Sequence, residues 1–289
     1  MALIDKYCST KNELFEKISF NMKKAIFIAV IYLIVQLALF YIFSTVGMLL
    51  ISNTMDASAF AKTSAYYWTI GVTTIFTNLL LIMIVYFTVS KESLRPFKSY
   101  FLMPRGIDFI YSLLTFIVLM FVLNSISDLT NIRDTNKNLL DGMMHNWLCL
   151  FDILIVGSIA NEICFRRGIL GSLLRSPRFH HYAIIISAAI FALMQFNPAS
   201  MLVAFVFGLF LGWIYWRTHS LVLPILFDVI NNLIGVLLNS FLGKDVKMIS
   251  LFPNSTVFYL CLVGCFVATF VFFFLMKKKM YRPSVVDDL

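Results

Sequence analysis

Apolar runs separated by short polar joins dominate the chain, at about 25–51, 68–89, 107–126, 146–174, 182–196, 199–216, 221–242 and 256–276. Most reach roughly 18 residues, the length at which a helix begins to cross a bilayer. In lipid each backbone polar group must be satisfied within its own segment, so the runs predict helices. Prolines fall at the joins: Pro96, Pro104, Pro177, Pro198, Pro253 and Pro283 lie between or after runs. Pro224 opens the seventh run, where a first-turn proline costs no hydrogen bond. The predicted fold is an all-α polytopic membrane bundle of about eight transmembrane helices.

Composition agrees with this reading. Of 289 residues, 60% are hydrophobic and 13% charged, too apolar a balance for a water-soluble domain. The formal net charge of +8 does not imply a nucleic-acid partner, because the Lys and Arg residues sit between apolar runs and form no basic face. The bilayer itself is the expected partner. Five cysteines (Cys8, Cys149, Cys164, Cys261, Cys265) lack metal-binding spacing and read as free thiols in or near apolar surroundings.

Three segments are expected: a cytoplasmic amphipathic lead-in at 1–24, an eight-span membrane domain at 25–276, and a basic cytoplasmic tail at 277–289. In the lead-in, Thr10-x-x-Glu13 has capping-box form, and Leu14, Ile18 and Met22 repeat at helical spacing. Either a helix lying on the membrane surface or a plain helical lead-in fits. The first apolar run is too long for a signal-peptide core and reads as a span.

With the N-terminus inside, 18 Lys and Arg residues fall in cytoplasmic segments and 5 outside (Lys62, Arg133, Lys137, Lys244, Lys247). This asymmetry predicts a multi-pass cell-membrane protein with both termini cytoplasmic. The longest exterior loop, about 127–145, is either a solvated connector or a contact for an extracellular partner.

Polar groups at bilayer depth are costly unless paired, which makes them candidates for chemistry. Three clusters stand out: Asn161-Glu162-Ile163-Cys164-Phe165-Arg166-Arg167-Gly168, Phe191-Ala192-Leu193-Met194-Gln195-Phe196, and Pro224-Ile225-Leu226-Phe227-Asp228-Val229-Ile230-Asn231-Asn232. Glu162 and Arg166 share a helix face at i,i+4 and can form a structural ion pair. Asp228 and Asn232 share another face, and Asn161 and Gln195 can reach the same cavity from other helices. No metal is expected: His145, His180, His181 and His219 fall in loops or at span ends, short of the ligand set zinc requires. No cofactor is expected either.

Read together, the clusters resemble the CAAX-protease and bacteriocin-processing membrane proteins (the CPBP or Abi family). That family's pattern is E-E-x-x-x-R, then F-x-x-x-H, then H-x-x-x-N on successive helices of an eight-span bundle. The phrases Phe165-Arg166-Arg167-Gly168-Ile169-Leu170 and Leu223-Pro224-Ile225-Leu226 strengthen the likeness, which places the family core at about 146–242. Glu162 and Arg166 match the second Glu and the Arg, Phe191 the aromatic of the second motif, and Asn232 the final Asn. In active relatives the first Glu and the second motif's His activate water, while the third motif's His and Asn stabilise the oxyanion. Here those positions hold Asn161, Gln195, Asp228 and Asn232, so three of the four differ.

Carboxamides at Asn161 and Gln195 cannot act as a general base. An ionised Asp228 would repel an oxyanion. The resemblance therefore implies a catalytically silent member that binds and regulates another membrane or envelope protein. Such relatives are associated with sensor kinases, cell-wall enzymes or bacteriocin immunity. The alternative is a divergent intramembrane endopeptidase using Glu162, about 100° around the helix from the family's base position. A transporter is the third reading, and the paired interrupted segments that mark inverted-repeat transporters are absent from the sequence.

Overall fold

The computed structural model describes residues 2–52, 56–90, 96–130, 137–176, 179–242 and 247–280. The side chains of Cys8, Thr10 and Glu13, and the residues Arg133, Lys244 and 281–289, lie outside this description. Among the described residues, all regular structure is helical. Seven helices are long and apolar enough to cross a membrane. The predicted fifth span, 182–196, is instead a shorter apolar helix, His180–Leu193. At about 1.5 Å per residue it covers only about two thirds of a 30 Å hydrocarbon core.

The principal helices are α1 (Ala2–Gly47), α2 (Ser64–Ser90), α3 (Gly106–Thr130), α4 (Lys137–Met144), α5 (Trp147–Leu174), α6 (His180–Leu193), α7 (Pro198–Thr218), α8 (Val222–Leu242) and α9 (Ser255–Lys279). Because α1 is continuous from Ala2, the lead-in takes the form of a plain helical extension of the first span. Pro198 does not lie between spans but opens α7, behind Asn197 at the cap. Lys277–Lys279, assigned to the tail, form the last turn of α9, where cations complement the helix dipole. α4 folds within the loop predicted at 127–145. Asn146 caps α5 by accepting from Leu148 N and Cys149 N.

Contacts between distant segments tie several helix ends together. Asn21 donates to the Arg175 carbonyl, Leu221 N to the Tyr100 carbonyl, and Ser220 to the Leu102 carbonyl. Arg217 donates to the carbonyls of Lys277 and Met280 at 2.9 and 2.7 Å, satisfying groups that the end of α9 leaves open. Asn21 of α1 therefore lies beside the end of α5, and the Tyr100–Leu102 stretch, the α7–α8 join and the end of α9 lie together. The alternation of passes that makes this possible includes short α6.

α6 fits because α7 offers glycines where they meet. A Cβ on Gly208 would stand 3.2 Å from Ala188 Cα, and one on Gly212 would stand 3.2 Å from Ile184. Such small residues let helix backbones close in when lipid supplies no hydrophobic drive. α3 and α8 meet through Phe116 stacked on Phe227 at 4.8 Å. α9 is peripheral, with Leu260, Phe270 and Phe274 turned outward, as expected of a lipid-facing helix.

Candidate functional site

The first and third polar clusters meet in the bundle interior. α5 is not uniform: it contains π-helical stretches at Asp152–Val156 and Ile163–Leu170. Such wider turns commonly mark functional positions. The second begins next to Glu162, which is fully buried and pairs with Arg166 at 2.9 Å. The Arg166 guanidinium also lies 4.8 Å from the centroid of the Phe191 ring, a cation–π contact to α6. Glu162, Arg166 and Phe191 thus bind two helices together.

Asp228 on α8 is 4% exposed. It stands near Ser158 of α5, whose hydroxyl donates to the Ile153 carbonyl at 3.4 Å, and it feels the charge of Arg166. Its Oδ2 has no hydrogen-bond partner. One turn further along, Asn232 donates to Ser158 Oγ at 3.0 Å and to the Ile153 carbonyl at 3.2 Å. Asn232 thereby fastens α8 to α5 through Ser158 and Ile153.

Asn161 accepts a hydrogen bond from Tyr32 of α1 at 3.0 Å. Gln195 sits in the turn between α6 and α7, followed by Phe196 at φ 49°. An aromatic residue in the left-handed region is uncommon and costs about 1–3 kcal/mol. The tight reversal into Asn197 and Pro198 imposes it. Asn161, Gln195, Asp228 and Asn232 all line one cavity of about 380 Å³. Three of them, without Asp228, also line an adjoining cavity of about 520 Å³ with Tyr32 and Gln36. Glu162 lines neither.

Both cavities lie in the half of the bundle away from the Lys277–Lys279 face, with α4 straddling them. Leu139 and Met143 border the larger cavity, and Leu140 and Met144 the smaller. Asn239 of α8 holds α4 through Asp141 at 3.2 Å.

Residues 143–234 match the family described as type II CAAX prenyl endopeptidase Rce1-like. This segment, from 143 to 234, is what the chain shares with that family. No curated protein and no solved structure matches it at a significant level. The matched segment contains Asn161, Glu162, Arg166, Phe191, Gln195, Asp228 and Asn232, and the structure gathers all seven in or beside one cavity.

The two cavities also hold polar groups outside the three sequence clusters. Asp152 is buried on α5 and accepts a hydrogen bond from Asn78 of α2 at 2.9 Å. Both line the larger cavity with Thr73, Thr74 and Thr77. The signal that singled out Glu162 and Asp228, an ionisable residue inside an apolar run, applies equally to Asp152. Arg167 is buried outside the cavities, 4.1 Å from the Tyr100 ring centroid, and serves packing at the other end of α5. Among the described residues no group of three or more His, Cys, Asp or Glu side chains is placed to hold a metal. His145, His180 and His219 sit in the short join before α5, the first turn of α6 and the cap of α7, away from the motif positions.

Chemically, the cavity offers carboxamides, hydroxyls and one carboxylate with a free oxygen. Amide groups at Asn161 and Gln195 can donate and accept hydrogen bonds but cannot take a proton from water near neutral pH. The buried acid nearest to Asn161 in sequence, Glu162, is held by Arg166 and turned from the open space.

Proposed function

We propose that this CAAX-protease-like protein does not cleave peptides and that it binds and regulates another membrane or cell-envelope protein through the cavity between α5, α6, α7 and α8. One observation carries the reading: Asn161, Gln195, Asp228 and Asn232 line a common cavity. The space that active relatives use for chemistry is thus kept, while the groups present supply recognition without a base. Polar side chains at bilayer depth are retained only where they are paired or used.

The excess of Lys and Arg on the face of the terminal segments supports a cytoplasmic placement for that face. The cavities then lie in the outer half of the membrane, under α4, within reach of a sensor-kinase ectodomain, a cell-wall enzyme or a bacteriocin receptor. In this arrangement 1–24 leads into the bundle from the cytoplasm, 25–276 forms it, and 277–289 anchors it at the membrane edge. The bilayer is the solvent for the whole, and no metal, cofactor or nucleic acid takes part.

The test is purification from the native host in mild detergent, with identification of co-purifying proteins and a cleavage assay on prenylated and single-span peptides by mass spectrometry. The expected result is a reproducible membrane or envelope partner and intact peptides. Cleavage by the wild-type protein that disappears in Glu162→Gln would overturn the reading in favour of a peptidase.

A further inference from the structure

The interior of the site is unbalanced in charge. Glu162 and Arg166 form a close pair at 2.9 Å, so one carboxylate already draws on this guanidinium. Asp228 adds a second carboxylate that shares the field of the same Arg166 and of Glu162. Its Oδ2 is unpartnered and its side chain 4% exposed, while the residue borders open space of about 380 Å³. A carboxylate taken from water without a counter-charge is costly, and the cost falls when a cation supplies both charge and hydrogen bonds.

The rest of the cavity suits a group of that kind carried on an apolar stem. Asn231 and Gln195 offer carbonyl oxygens, while Val203, Phe207 and Ile234 form apolar wall. Gly235 borders the cavity with nothing within 4 Å of where a Cβ would stand, so the α8 side has room for a guest.

We infer that Asp228 is the recognition point for a positively charged, hydrogen-bond-donating group, an ammonium on an apolar stem, that enters this same cavity between α5, α6, α7 and α8. This rests on the non-catalytic binding reading and specifies the chemistry of what is bound. The ammonium can be carried by a lysine side chain of a membrane-spanning partner or by a free amine. An oxyanion, or a carbonyl presented for attack, is the group this cavity disfavours.

The test uses the full chain in nanodiscs and calorimetric titration with n-hexylammonium, n-hexanol, and two leucine-rich single-span peptides that differ in a central Lys or Met. The expected result is binding of hexylammonium and of the Lys peptide, weakened at least tenfold by Asp228→Asn and retained in Asp228→Glu, with hexanol unaffected by either change. Binding of hexylammonium without the Lys peptide still supports the inference and assigns the group to a free amine. Hexanol binding as tightly as hexylammonium, or hexylammonium binding undiminished in Asp228→Asn of native gel-filtration profile, overturns it. Peptide cleavage, read by mass spectrometry in the same samples, would instead overturn the non-catalytic reading.

Discussion

Tyr32 of α1 donates its hydroxyl hydrogen to Asn161 Oδ1 of α5 across 3.0 Å, joining a span outside the matched segment to the segment itself. The Tyr32 ring is also seated against Phe165 at 5.0 Å, edge to face, so the hydroxyl is aimed by packing and not by a flexible stem. Asn161 is thereby held with one acceptor occupied at the junction of the two cavities.

Tyr32→Phe removes that bond and little else. A hydrogen bond between helices in a bilayer contributes about 0.6–1 kcal/mol. The expected loss of stability is of that size, read by reversible unfolding in mixed micelles. Asn161→Ala in the Tyr32→Phe background should cost less than Asn161→Ala alone, because the hydroxyl is no longer left unpaired. Strictly additive losses would mean that the two side chains do not interact.

Glu162 and Arg166 should behave differently. Both are buried, and either substitution alone leaves the other charge unpaired in a low-dielectric interior. Glu162→Gln or Arg166→Met is expected to destabilise the bundle by about 3–5 kcal/mol. The double variant should cost clearly less than the sum, since both charges leave together. Unfolding midpoints of the four proteins give the coupling directly. A coupling near zero would show that the pair is not formed in the membrane.

The legible part of this molecule was its partition into lipid-crossing and polar segments. Apolar run length located seven of the long helices to within a few residues, because the bilayer imposes both the length and the helical state. The fifth run misled for a physical reason: Tyr182 to Phe196 is apolar enough for a span, but helix formation stops at Leu193, where the chain turns through Phe196 in a left-handed conformation. The fit of Gly208 against Ala188 that holds α6 to α7 is tertiary, and no local pattern announces it.

At the site, the clusters around Glu162 and Asp228 could be found as polar islands in apolar runs. Tyr32 and Asn78 could not be assigned to it, because their partners lie 129 and 74 residues away. Asp152 was visible by the same rule as Asp228. The π-helical turns of α5 have no residue signature, since they follow from how the helix packs. The straddling helix α4 was hidden inside a loop whose mixed polarity masked Leu139, Leu140, Met143 and Met144.

The close approach of α6 to α7 gives the last prediction. At Gly208 an added methyl would meet Ala188 backbone and side chain at 3.2 Å. Neither atom belongs to a flexible side-chain end, so the helices must part by a few tenths of an ångström. The expected cost of Gly208→Ala is about 1–3 kcal/mol, as for overpacking elsewhere. Gly264 of α9 is the matched control, with nothing within 4 Å of its added Cβ. There the better helix propensity of Ala is unopposed, and Gly264→Ala should be neutral or stabilising by up to about 1 kcal/mol. Thermal unfolding of the two variants in one detergent checks both signs, and equal effects at both glycines would mean that α6 is not held against α7 as described.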